Sequence, residues 1–150
     1  MRAPFQILAI PYKFVDGEPF FCIFCRSDSS DWQFIAGGGE DSESAFDAAR
    51  REIFEEIGVD AVTILKLKSM CYIPADIFPK RKLYNWPDDM YVIPEYSFAF
   101  RCDEKIKLSC EHSDFRWLSY SDAVKILKWD SNKTALYELN CRLKDEKSTL

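Results

Sequence analysis

Residues 37–59, GGGEDSESAFDAARREIFEEIGV, constrain this chain more than any other stretch. Three consecutive glycines give a backbone without side chains, the mark of a turn or of close approach to another group. The pattern then becomes helical. Ser44 fits as an N-cap with Asp47 three residues on, Phe46, Ala49, Ile53 and Ile57 recur at helical spacing, and Gly58 supplies the stop. At about 100° per residue, Glu52, Glu55 and Glu56 fall within roughly one third of the helix circumference and make one acidic face. The apolar stripe lies beside that face and would anchor the helix to a sheet. Carboxylates crowded in this way repel one another. A solvated face paired with Arg50 and Arg51 is one way to carry them. The other is a hard divalent cation, Mg²⁺ or Mn²⁺, which prefers several carboxylate oxygens together with waters and phosphate oxygens.

Around this helix the sequence predicts strands. Segments 6–12 and 20–26 are apolar and β-prone, with Asp16-Gly17 between them as a turn. A short strand over 32–36 runs directly into the glycines. A strand over 61–72 follows the helix, then an irregular stretch to Met90 holding Pro74, Pro79 and Pro87. Segments 91–102 and 115–118 read as later strands, and 121–127 and 132–144 as closing helices. The class this predicts is α/β, a mixed β-sheet flanked by helices on both faces. A length of 150 residues fits a single domain over 1–150 with one core.

Charge narrows the function. The formal net charge of −5 argues against long nucleic acid, which needs a basic footprint. A small phosphorylated substrate is compatible if a cation separates it from the protein's carboxylates. No apolar run reaches bilayer length, and the start, MRAPFQILAIPYKF, has no cleavage signature, so a cytoplasmic protein without membrane partners is expected. The six cysteines are scattered and read as reduced. Cys22 and Cys25 fall on opposite faces of a strand, which does not suit chelation.

The segment fits G-x5-E-x7-R-E-U-x-E-E-x-G-U, where U is bulky and apolar, with Gly37, Glu43, Arg51, Glu52, Ile53, Glu55, Glu56, Gly58 and Val59 at the specified positions. A chance match anywhere in the chain is on the order of one in a million at average residue usage. The pattern resembles the Nudix box, the signature of hydrolases acting on nucleoside diphosphates linked to another group. The resemblance implies an α/β/α sandwich with Mg²⁺ or Mn²⁺ held by the box. By position it makes Glu55 and Glu56 metal ligands, Glu52 a ligand or base, Glu43 and Arg51 an orienting pair, and the carbonyl of Gly37 a further ligand. Ala36 departs from the family, many members of which have Pro there.

A second likeness covers the C-terminal third. EHSDFRWLSYSDAVKILKWDSNKTAL is similar to an EH–aromatic–RW pattern in Nudix enzymes acting on nucleoside or pterin triphosphates and on diadenosine tetraphosphate. The whole chain looks most like bacterial dATP-type and dihydroneopterin triphosphate-type pyrophosphohydrolases. This implies cleavage of a nucleoside triphosphate to a monophosphate and pyrophosphate. Diadenosine tetraphosphate hydrolysis to ATP and AMP is the alternative, and a noncatalytic nucleotide-sensing module is a further one, although such modules usually lose box glutamates. A homodimer is compatible with the resemblance. Catalysis then needs a carboxylate to take a proton from water, with Glu52 and Glu111 as candidates. Glu95, in the apolar run YVIPEYSFAF, competes with Glu111 for the outer ligand position. His112, the sole histidine, is expected to be structural. Substrate contact is expected from 73–90, where Phe78, Lys80, Arg81, Lys82, Tyr84, Asn85 and Trp86 combine rings for stacking with charges for phosphate.

Overall fold

The computed structural model describes residues 1–149. Its first turn is set by backbone sterics. Asp16 and Gly17 both have positive φ, 51° and 81°, the geometry whose twist matches a two-residue hairpin. They join β1 (Arg2–Val15) to β2 (Glu18–Arg26), which pair over Tyr12–Val15 and Glu18–Phe21. Beyond that pairing the two strands part, and the next segment fills the opening. β3 (Trp32–Gln33) pairs with β2, and β4 (Ile35–Glu40) pairs with β1. Pro11, which has no N–H, stands in β1 between its last β4 partner, Ala9, and its first β2 partner, Tyr12.

The sheet has seven strands and is mixed. β6 (Val92–Arg101) runs parallel to β1, and β5 (Leu65–Pro74) pairs antiparallel with β6 at the edge. β7 (His112–Leu118) pairs with β2. Helices cover both faces, as the alternation in β1 requires. Ile7 and Ala9 face α1 (Ala45–Ile57), with Phe24, Ile35, Ile53, Ile57 and Phe98. Leu8 and Ile10 face the other side and pack with Phe21, Phe34, Leu136 and Leu139 beneath α2 (Tyr120–Ile126) and α3 (Asp130–Thr149).

Three expectations are corrected. The glycines are not a turn; Gly37 and Gly38 pair with Ile7 and Gln6 inside β4. They are strand residues without side chains because neighbours occupy that space, as shown below. β5 begins at Leu65, because residues 61–64 form an irregular connection with a bend at Val62 and Thr63. Phe46 does not anchor α1; it is 40% exposed. The buried arc instead runs through Ala48, Ala49, Glu52, Ile53, Glu56 and Ile57, so the acidic face and the sheet-facing side largely coincide.

The expected helix ends are found. The Ser44 side chain accepts a hydrogen bond from the Asp47 amide at 3.1 Å, and Gly58 at φ 72° donates its N–H to the Phe54 carbonyl. The stretch after β5 is irregular apart from two single 3₁₀ turns, Ala75–Ile77 and Arg81–Leu83. It folds over a small core of its own, built on Ala75, Trp86 and Ile93 with Phe78 and Tyr84 against them.

Candidate active site

Two clusters of side chains meet on α1. The first is organised by Arg51. Its guanidinium donates to both oxygens of Glu43, at 2.8 and 2.9 Å, and to the Gly38 carbonyl at 2.9 Å. It also reaches Glu52 at 3.1 Å and Glu55 at 3.2 Å. Glu43 further accepts the Glu40 amide at 2.8 Å. Hydrogen bonds from Arg51 outweigh desolvation and hold Glu43 below the usual carboxylate range. Arg51 thus ties the loop after β4 to the helix.

Glu52 is only 9% exposed. Burial pushes its carboxyl up to about 7, against the opposing pull of Arg51 and with added repulsion from Glu55 and Glu56. The carboxyl sits where a side chain at Gly37 would be. A Cβ there would lie 2.1 Å from Glu52 Cδ and 2.4 Å from each carboxylate oxygen. Gly38 has the same relation to the Arg2 guanidinium, and Gly39 to the Phe5 ring. The triple glycine is therefore a close-approach surface.

The second cluster surrounds Glu56, 3% exposed. The chain after β6 folds back onto the end of α1, with Lys107 and Ser109 amides donating to the Ile57 and Glu56 carbonyls at 2.9 Å. This brings Ser109 Oγ to 3.2 Å and His112 Nδ1 to 2.9 Å from Glu56 Oε2. The Glu111 carboxyl neighbours Glu56, and that interaction, followed by burial, raises Glu111. Burial alone would raise Glu56, but His112, Glu111 and Ser109 together hold it below its ordinary value. One carboxyl is pushed up and its neighbour down, the pattern of two interacting acids.

Glu95 is elsewhere. On β6 it pairs in register with Gln6 of β1, and alternation from Tyr96 and Phe98 turns it to the face opposite α1. There it accepts Gln6 Nε2 at 2.7 Å and contacts Cys71 Sγ at 3.6 Å. A broad groove of about 670 Å³ also lies on that side, lined by Lys68, Ser69, Thr134, Tyr137, Glu138 and Arg142, away from the glutamates of α1.

The expected substrate residues divide. Trp86 is buried in the loop core, meets Phe78 edge-on and Tyr84 at a tilt, and donates Nε1 to the Arg2 carbonyl at 3.0 Å. Arg81 is turned inward, lying 5.3 Å over the Trp86 ring and donating to the Pro87 carbonyl at 2.6 Å. These two shape the loop, whereas Lys80 and Lys82 are exposed and Tyr84 is half-buried. Sequence reasoning missed Arg2, whose guanidinium lies 4.4 Å from the Phe78 ring and 6.0 Å from Tyr84, beside Gly38. No spacing signals such a residue. His112 beside Glu56 was signalled only by its adjacency to Glu111.

The donor set suits a hard cation: carboxylates at Glu52, Glu55, Glu56 and Glu111, with backbone brought close where Gly37 meets Glu52. Among the described residues no three acidic, histidine or cysteine side chains already converge on one point. Arg51 holds Glu52 and Glu55, while Ser109 and His112 hold Glu56. The chemistry fits a divalent ion, and side-chain rotation is what would gather the oxygens.

The family model for the NUDIX domain matches residues 14–139. The chain belongs to the Nudix family. It is 30% identical over 123 residues to a dihydroneopterin triphosphate diphosphatase of Haemophilus influenzae, covering 78% of this chain and 77% of that one. It is 34% identical over 109 residues to an RNA pyrophosphohydrolase of Nitratiruptor sp., covering 68% of each. A crystal structure of a Nudix hydrolase from Listeria monocytogenes superposes with a TM-score of 0.84 at 44% identity, covering 96% of this chain and 97% of that one. As a Nudix hydrolase with pyrophosphohydrolase relatives, this chain is an enzyme of that type. Nudix hydrolases generally use divalent metal ions. No helix among the described residues is long and apolar enough to cross a membrane.

Proposed function

We propose that this Nudix enzyme hydrolyses a phosphoanhydride bond of a nucleoside triphosphate, dATP-like, or of a related nucleoside diphosphate derivative. From a triphosphate the products are a monophosphate and pyrophosphate. The observation that carries this reading is the burial of Glu52 and Glu56 on the inner face of α1, with Glu111 brought onto Glu56. The relatives support a triphosphate substrate, since one is named for dihydroneopterin triphosphate.

Glu52, Glu55, Glu56, Glu111 and the Gly37 carbonyl would hold Mg²⁺ or Mn²⁺. When bound, such a cation offsets the charge of the phosphate oxygens that otherwise repels the nucleophile. The protein's own groups do the rest. Arg51 and Glu43 fix the spacing of Glu52 and Glu55. Glu52, buried on the inner face of α1, is the candidate to take a proton from water, and Glu111 is the second candidate. Lys80 and Lys82 reach for phosphates, Tyr84 offers a ring, and Arg81 and Trp86 hold the loop that carries them.

The test is to incubate the protein with Mg²⁺ and dATP, GTP or diadenosine tetraphosphate and to separate the products by ion exchange. Monophosphate and pyrophosphate are expected, with no turnover in excess chelator. Orthophosphate as the first product, or full turnover in chelator, refutes the reading. Faster formation of ATP and AMP from the dinucleotide than of monophosphate from any triphosphate moves the substrate to dinucleoside polyphosphates.

A further inference from the structure

His112 is the only histidine in the chain, and its side chain is 3% exposed. A buried imidazole in a sheet is ordinarily a core residue with a satisfied partner. Here the backbone goes out of its way to place it. Phe115 and Trp117 of β7 pack toward α1, so regular alternation would turn Ser113 to that face and His112 away. The pairing of β2 with β7 breaks between Cys25 and Arg26, which face Asp114 and His112 and skip Ser113. This bulge turns His112 inward, onto the Phe24 ring at 5.5 Å and to 2.9 Å from Glu56 Oε2.

The position is fixed from two sides. Ser109 and Lys107 are clamped to the end of α1, and Ser27 binds the Glu111 and Cys110 carbonyls at 2.9 Å through its amide and hydroxyl. His112 Nδ1 is buried, and its contact with Glu56 is close in distance but imperfectly aligned. Ser109 and His112 both address Oε2, the same one of the two Glu56 oxygens.

We propose that His112 is a positioning residue for Glu56: it tethers one carboxylate oxygen and so fixes the other where a divalent cation is held. This rests on the reading of α1 as a cation site. Groups that orient metal-binding side chains in this way typically contribute 10–100-fold to metal affinity.

The test measures Mn²⁺ binding to the full chain, without nucleotide, from the electron paramagnetic resonance signal of free Mn²⁺. H112F keeps a ring on Phe24 and deletes the nitrogen. H112N can place an amide N–H close to the Nδ1 position, and H112Q carries the amide one methylene further. H112F and H112Q are expected to bind Mn²⁺ 10–100-fold more weakly, and H112N within a few-fold of wild type. Thermal unfolding in chelator separates packing from positioning, since a packing role lowers the melting temperature and leaves Mn²⁺ affinity unchanged. Unchanged affinity in H112F and H112Q overturns the proposal, as does H112N binding no better than H112Q. If H112F does not fold, the comparison of H112N with H112Q decides. Absence of Mn²⁺ binding by the wild type overturns the cation-site reading itself and this proposal with it.

Discussion

Replacing Gly37 by Ala separates the carboxylate's position from the stability of the fold. The new methyl would lie 2.1 Å from Glu52 Cδ. Carbon atoms settle at about 3.5 Å or more, so the carboxyl must move by about 1.4 Å. The backbone need not move, because Gly37 is a strand residue without positive φ and what the methyl meets is the end of a long side chain. The melting temperature should therefore change little, by about 4 °C or less for a stability change within about 1 kcal/mol. Turnover should fall by about 10²-fold, the effect of a misplacement near 1 Å at a reacting centre. Calorimetry and steady-state assay of monophosphate release measure the two quantities on one preparation. Wild-type turnover in G37A would show that the carboxyl's observed position is irrelevant. A fall in melting temperature of more than about 10 °C would show that Glu52 cannot yield, contrary to the geometry.

Other perturbations have distinct expected outcomes. Glu56→Gln keeps the size of a buried side chain and removes its charge, so turnover should fall by at least ~10²-fold while circular dichroism stays native; an unfolded variant would make Glu56 structural. Gly39→Ala would bring a methyl to 2.0 Å from the Phe5 ring, which packs against the core beside Tyr96, so it should cost about 1–3 kcal/mol by urea titration. Glu138 on α3 accepts the Lys68 and Ser69 amides and the Ser69 hydroxyl at 2.7–2.9 Å, where the pairing of β5 with β6 slips, and pairs with Arg142. Burial opposes its ionisation, but those hydrogen bonds prevail and lower its pKa to about 2. Its contribution is therefore complete above the ordinary carboxylate range and is lost as pH falls through about 2. Glu138→Gln should cost about 2 kcal/mol at pH 7, and its deficit against wild type should shrink between about pH 4 and pH 2. A deficit independent of pH would refute this.

How far the sequence revealed all this depends on how local each cause is. Helix α1 was legible to the residue at its N-cap because Ser44, Asp47 and Gly58 act within a turn of one another. The hairpin turn at Asp16-Gly17 was legible for the same reason. The glycines misled because an absent side chain looks alike in a turn and in a strand pressed against other groups. Which it is depends on Glu52, Arg2 and Phe5, residues far away in sequence. Helical periodicity located the acidic face but not its direction, so Glu52 and Glu56 at the buried centre were unexpected. Trp86 looked like a free ring because nothing local announces the small core formed with Ala75 and Ile93. The inward turn of His112 depends on a bulge between strands about ninety residues apart, to which no local pattern corresponds.

The insertion of residues 32–40 into the parted hairpin also has an entropic consequence. Three glycines in an open loop would sample many conformations and would have to be ordered at each encounter with a ligand, at about 1–2 kcal/mol of lost backbone freedom per residue. Here Gly37 and Gly38 are already held by Ile7 and Gln6, and Arg51 grips the Gly38 carbonyl. That ordering occurs once, during folding, and the most permissive backbone in the chain is presented as a rigid, preorganised edge.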